Sequence, residues 1–195
     1  MSIELFQSVS AVAIGASAGG IAALVEILPS IPADFGLPIF VILHLSPKSE
    51  NLLPGVLAAR CALPVKGAEH GEPVRGGTVY CAPPDYHLLV EQTGYLSLSV
   101  DPPVNYSRPS IDVFFESAAD AYGPSLIGII LSGANSDGAV GLEQVCAAGG
   151  SGIVQERATA EVSVMPAAAL ARCPAARELP LSDIASLLRV VGTRR

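Results

Sequence analysis

Three short segments of this chain carry residue types able to perform acyl transfer. The first, Gly15-Ala16-Ser17-Ala18-Gly19-Gly20, contains G-x-S-x-G. Small residues on both sides of a serine suit a tight strand-to-helix turn that lifts the hydroxyl clear of the backbone. The helix that follows offers unpaired N–H groups to an oxyanion. The same residues also fit a plain glycine-rich turn in which Ser17 caps the helix. A dinucleotide loop fits poorly, because Ser17 stands where G-x-G-x-x-G has its middle glycine. The second segment is Leu43-His44-Leu45-Ser46-Pro47. An imidazole with an ordinary pKa of about 6.5 suits a general base. A hydrogen-bonded structural histidine is the plainer alternative. The third is Ser132-Gly133-Ala134-Asn135-Ser136-Asp137-Gly138, whose one acid is Asp137. An acid there can hold an imidazole in one tautomer and stabilise its charged form. It can equally cap the helix that follows.

Each segment follows a continuous apolar run. Residues 9–14, 37–43 and 126–131 are such runs, and 152–155 is a fourth. Runs of this kind mark strands covered on both faces, hence a parallel sheet. Shorter strand candidates are 64–66 and 78–81. Helical patterns cover 21–28, 52–60, 110–122, 137–148, 166–171 and 181–190. Ser110 is placed to cap the third of these. Residues 86–91 and 95–100 flank Gln92-Thr93-Gly94, a three-residue hairpin loop with glycine at the left-handed position. The alternation predicts one α/β domain over 1–195. It is a doubly wound, mostly parallel sheet with helices on both faces and one antiparallel hairpin. Ligands of such sheets gather at the carboxyl ends of the strands, where Ser17, His44 and Asp137 lie. The order Ser…His…Asp differs from the Ser…Asp…His of α/β-hydrolases.

Composition narrows the choice. Half of the 195 residues are apolar, 15% are charged and mean hydropathy is +0.50, which excludes a disordered chain. The net charge of −7 lacks the basic footprint of a nucleic-acid binder. The apolar runs are too short to span a membrane. The first basic residue is Lys48, so a positive signal-peptide start is not expected and the cytoplasm is the expected compartment. Cys61, Cys81, Cys146 and Cys173 form no C-x-x-C pair and read as reduced core residues. The three histidines show no metal-ligand spacing, so a histidine-rich metal site is not expected.

The chain resembles the catalytic domain of the chemotaxis protein-glutamate methylesterase family (CheB). The residues that carry the resemblance are Ile14 to Gly20, His44 with its flanks, and VYCAPPDYHLLVE from Val79 to Glu91. RPSIDVFF from Arg108 to Phe115, LSGANSDGAVG from Leu131 to Gly141, Ala158-Thr159-Ala160 and Met165-Pro166 complete the set. The resemblance implies hydrolysis of glutamate γ-methyl esters on chemoreceptor cytoplasmic helices, with release of methanol. Some members also deamidate receptor glutamines. It implies Ser17 as nucleophile, His44 as base and Asp137 as orienting acid. The backbone N–H groups of Ala18 and Ala134 become the oxyanion donors. His87 lies in one of these segments and reads as structural or substrate-lining; Tyr106 and Arg108, in a polar, proline-flanked loop before a helix, are either substrate contacts or part of a solvated loop. A methylated receptor bundle is the implied partner, with a regulatory signalling protein beside it, and neither a metal nor an organic cofactor is implied.

Three departures from the family pattern bear on these expectations. With eight residues ahead of the first strand in this sequence, the receiver domain usual in the family is not expected. Ser132-Gly133-Ala134-Asn135 stands where Thr-Gly-Met-Gly is common, and Ala18 where threonine is common. They motivate an alternative, a catalytically decayed interaction module of a chemosensory assembly. A nucleotide site at the glycine-rich turn is the third reading.

Overall fold

The computed structural model describes residues 9–46, 48 and 50–192; Pro47 and Arg194–Arg195 lie outside the described residues. Among the described residues, nine strands and six α-helices alternate, eight of the strands where the sequence places them. They are β1 (Ala11–Ala16), α1 (Gly20–Ile27), β2 (Ile39–Leu43), α2 (Leu53–Ala58), β3 (Val65–Gly67) and β4 (Val79–Cys81). Then come β5 (His87–Val90), β6 (Leu96–Ser99), α3 (Ile111–Tyr122), β7 (Leu126–Ile130) and α4 (Ala139–Ala147). β8 (Ser151–Gln155), α5 (Val164–Arg172), β9 (Arg177–Leu179) and α6 (Leu181–Val191) complete the chain.

Seven strands form one wholly parallel sheet in the order β3-β4-β2-β1-β7-β8-β9. From β1 the chain winds outward through β2 to one edge. It then returns to β1's other side with β7. The cleft between β1 and β7 is therefore the switch point at which an open α/β sheet binds ligands. β5 and β6 form a separate antiparallel hairpin, with His87 opposite Ser99 and Val90 opposite Leu96. Gly94 takes the left-handed φ of +79° at its tip, as expected.

Side chains of one strand point alternately to the two faces. Val12, Ile14, Val41 and Leu43 pack under α1, α2 and α6, against Leu24, Leu57, Ile184 and Leu188. Ala11, Ala13, Phe40 and Ile42 face the other way, against Phe114, Phe115, Leu142 and Ala169 of α3, α4 and α5. Both faces are thus buried, which explains the unbroken apolar runs.

β1 reaches two residues farther than the apolar run 9–14. Gly15 and Ala16 still pair, with Ile42 and Leu43 of β2, so the turn begins at Ser17. β9 was not expected. It is short and half-buried, and two of its three residues are charged. Cys81 and Cys173 are buried and all four cysteines are free. The thiols of Cys146 and Cys173 meet at 2.7 Å where α4 and α5 end.

Candidate active site

Strand register brings the first two candidate residues together. Ala16 pairs with Leu43, so Ser17 and His44 are the next residues along adjacent parallel strands, about 5 Å apart in backbone spacing. The His44 N–H donates to the Ala16 carbonyl at 3.1 Å, which fixes that register one residue past the strand. On the other side of β1, the Ser17 N–H donates to the Ser132 carbonyl at 2.9 Å. The nucleophile candidate is thus held from both neighbouring strands.

Ser17 does not cap α1. The N-cap is Gly19, with φ +77° and no side-chain cap bond. A Cβ at Gly19 would stand 2.6 Å from the Ser132 hydroxyl and 2.7 Å from Glu161 Cβ, so only glycine fits there. The Ser17 hydroxyl makes no hydrogen bond among the described residues. Ser132 seals the turn instead: its Oγ donates to the Ala18 carbonyl at 2.7 Å and accepts from the Val162 N–H at 2.9 Å.

His44 Nε2 lies 2.7 Å from Asp137 Oδ2. Asp137 is fully buried. It does not cap its own helix, because the N-cap of α4 is Gly138, without a side-chain bond. It lies instead at the amino end of α3. There Ile111 N–H donates to Oδ2 at 2.6 Å, and Ser110 Oγ and Asn105 Nδ2 donate to Oδ1 at 2.8 and 3.0 Å. Ser110 caps α3 as expected, its Oγ accepting from the Val113 N–H. Burial works against the charge of Asp137. The bonds from His44, Asn105, Ile111 and Ser110 outweigh it and hold the carboxyl below its ordinary range. The α3 dipole acts in the same sense. An anionic Asp137 requires the proton on His44 Nε2, which leaves Nδ1 as the basic nitrogen. The Ser107 hydroxyl approaches that nitrogen at 3.3 Å.

Ala18 and Ala134 are both exposed. Their N–H groups donate to nothing among the described residues, as oxyanion donors require. The loop carrying Ala134 is shaped by Asn135, whose Oδ1 accepts from the Asp137 N–H at 3.2 Å. Gly133 is tied to the 156–163 segment through the Val162 carbonyl at 3.0 Å. No group of three His, Cys, Asp or Glu side chains among the described residues is placed to hold a metal.

The other three candidate residues do not converge on this cluster. Tyr106 is wholly exposed, with φ +62°. Arg108 is a loop staple. It donates to Asp85 Oδ1 through Nε and Nη2 at 3.1 and 2.6 Å, and through Nη1 to the carbonyls of Val100 and Asp101. His87 is buried; its Nδ1 accepts from the Ser110 N–H and its Nε2 bonds the Pro102 carbonyl. The same loop delivers Asn105 and Ser107 to the site instead. Sequence reasoning missed both, since neither lies at a strand end or carries a recognisable spacing.

The sequence model of the CheB methylesterase family matches residues 12–188. A Leptospira interrogans protein, named as a candidate protein-glutamate methylesterase/protein-glutamine glutaminase, is 45% identical over 91% of this chain and 92% of its own. Protein-glutamate methylesterase/protein-glutamine glutaminases of Symbiobacterium thermophilum and Anaeromyxobacter dehalogenans are 39% and 41% identical over 93% of this chain. The chain spans 50% and 53% of their lengths. The crystal structure of the Thermotoga maritima CheB methylesterase catalytic domain superposes with a TM-score of 0.89. It is 35% identical and covers 93% of this chain and 98% of that one. With the family's sequence pattern and its fold both present around the paired His44 and Asp137, the chain belongs to the CheB methylesterase family.

Proposed function

We propose that this chain is a serine methylesterase acting on glutamate γ-methyl esters of chemoreceptor cytoplasmic helices. One observation carries the reading. His44, backed at 2.7 Å by a buried carboxylate, is carried in strand register beside Ser17, whose hydroxyl has no hydrogen-bond partner among the described residues. In this mechanism Ser17 Oγ gives its proton to His44 Nδ1 and attacks the ester carbonyl. The oxyanion is taken by the Ala18 and Ala134 N–H groups. His44 then passes the proton to the departing methoxide, and methanol leaves. Water, deprotonated by the same Nδ1, hydrolyses the glutamyl-serine ester to glutamate and free Ser17. A glutamine carboxamide enters the same cycle with ammonia as leaving group. The names of the relatives support that second activity.

Val104 and Tyr106 flank Asn105 in sequence, Val140 lies in the first turn of α4 after Asp137 and Val164 opens α5; all four are exposed. They form the apolar contact for a receptor helix. Among the described residues no helix is long and apolar enough to cross a membrane.

Methanol release from a methylated receptor cytoplasmic fragment tests this reading, with Ser17→Ala beside the unaltered protein. Release by the unaltered protein alone is expected. Equal release by Ser17→Ala would overturn the assignment of the nucleophile.

A further inference from the structure

The site contains a second buried carboxylate that the mechanism does not use. Asp112, in the first turn of α3, is nine-tenths buried. Its Oδ1 accepts from the Gly141 N–H of α4 at 2.7 Å, and its Oδ2 accepts from Asn105 Nδ2 at 2.8 Å. Asn105 Nδ2 also donates to Asp137 Oδ1 at 3.0 Å. One amide nitrogen therefore gives one hydrogen to each carboxylate. Two anions this close repel each other in a partly dry site. A shared donor between them relieves that repulsion and fixes the rotamer of both.

We infer that Asn105 is a positioning residue for the esterase reaction: its amide, clamped between Asp137 and Asp112, keeps Asp137 charged and aimed at His44. The inference rests on the reading of Ser17, His44 and Asp137 given above. The two carboxyls shift in opposite directions. Burial pushes Asp112 up to about 6, against the Gly141 N–H, while Asp137 stays below its ordinary range. The pair thus has one member that takes up a proton first, and it is not the one that orients the base. The charged groups around them are few. His44 faces Asp137 from the end of β2. Arg172 of α5 lines the same open cavity of about 310 Å³ as Asp112 and Asn105, and is itself paired with Glu143 of α4 at 2.7 Å.

The backbone explains why asparagine does this. Asn105 has φ +50°. Asparagine is among the few side-chain-bearing residues that adopt this region readily. Aspartate tolerates the same φ, keeps the shape and replaces the donor with an acceptor. Glycine tolerates it and removes the side chain. These two substitutions therefore test the amide without straining the loop.

The experiment is the rate of Ser17 labelling by a fluorophosphonate, on the whole chain, from pH 5 to 9. It reads the nucleophile and base alone and needs no receptor. Asn105→Asp should label about a hundredfold more slowly at pH 7.5, and Asn105→Gly about tenfold. The acid-side loss of reactivity should move to higher pH in both, by on the order of one unit in Asn105→Asp, where a third carboxylate joins the pair. A residue that only held the loop would lower the melting temperature and the rate without moving the pH dependence. Should Asn105→Asp fail to fold, Asn105→Gly decides. Normal labelling and an unmoved acid limb in the folded variants overturn the inference, while loss of labelling in Ser17→Ala keeps the nucleophile assignment. An unaltered protein that does not label at all, or a Ser17→Ala that labels equally, overturns both.

Discussion

The site is assembled from two kinds of backbone. Ser17 and His44 stand at the ends of paired parallel strands; Asn105, Tyr106 and Ser107 stand in an irregular loop with two successive left-handed residues. In the first region, position follows from register. Once Ala16 pairs with Leu43, the next two residues must lie side by side. In the second, position follows from side chains. Arg108 ties the loop to Asp85, Val100 and Asp101, and Asn105 ties it to two carboxylates. The strand ends should therefore hold their geometry when a polar group is lost, whereas the loop should not.

The largest effect breaks the chemistry at a strand end and leaves the fold alone. Ser17→Ala should lower methanol release by about a millionfold, as loss of a triad nucleophile does. Its melting temperature should be unchanged, because the lost hydroxyl has no partner among the described residues. Asp137→Asn comes next, with a fall of about 10⁴ in kcat. Asp137 also joins the two regions, so this variant should lose about 2–4 kcal/mol of stability at pH 7. The sign with pH is definite. The folded carboxyl binds its proton less readily than the unfolded one. Its contribution is thus complete above the unfolded value of 3.8 and drains as pH falls through the folded one. Urea unfolding should show the gap between unaltered protein and Asp137→Asn closing only in acid, below the unfolded value of 3.8.

How legible each part was from sequence follows the same division. The buried parallel strands announce themselves as apolar runs, and the glycine-rich turn, His44 and Asp137 follow them directly. Hence the sheet and three side chains at its carboxyl edge could be named before any coordinates. Asp137 shows where such reading stops. Its position after β7 was visible, but its placement at the amino end of α3, not α4, depends on how two helices pack. Asn105 and Ser107 were invisible for a stronger reason. Their loop has no period, and much of its shape rests on contacts with residues 23 to 63 positions away. The choice of Tyr106 and Arg108 in that loop followed chemical type, which says nothing of direction. The short, charged β9 escaped because an edge strand needs no apolar run.

Arg108→Met breaks the loop without touching a reacting group. Four hydrogen bonds go. Asp85 is half-exposed, so solvent screens that pair and the cost in stability should stay near 1 kcal/mol. The loss in kcat should be about tenfold, because Asn105 and Ser107 drift with the loop. Asp85→Asn should reproduce part of it, and the double variant should fall short of the product of the two. A fully multiplicative double variant would mean that Arg108 acts elsewhere, for instance on substrate.

Ser107→Ala should have the smallest effect, and its sign carries the information. His44 Nδ1 has one lone pair. Ser17 needs that lone pair to lose its proton, yet the Ser107 hydroxyl approaches it at 3.3 Å while also reaching the Asn105 carbonyl at 3.4 Å. Both distances are long for a hydroxyl donor, so little energy is at stake. If Ser107 merely occupies the base between turnovers, its removal frees Nδ1. Fluorophosphonate labelling of Ser17 should then rise by about two- to threefold. If Ser107 instead holds the ring in the plane that faces Ser17, labelling should fall. A fall would make the loop a working part of the base, and the strand ends alone would no longer account for its alignment.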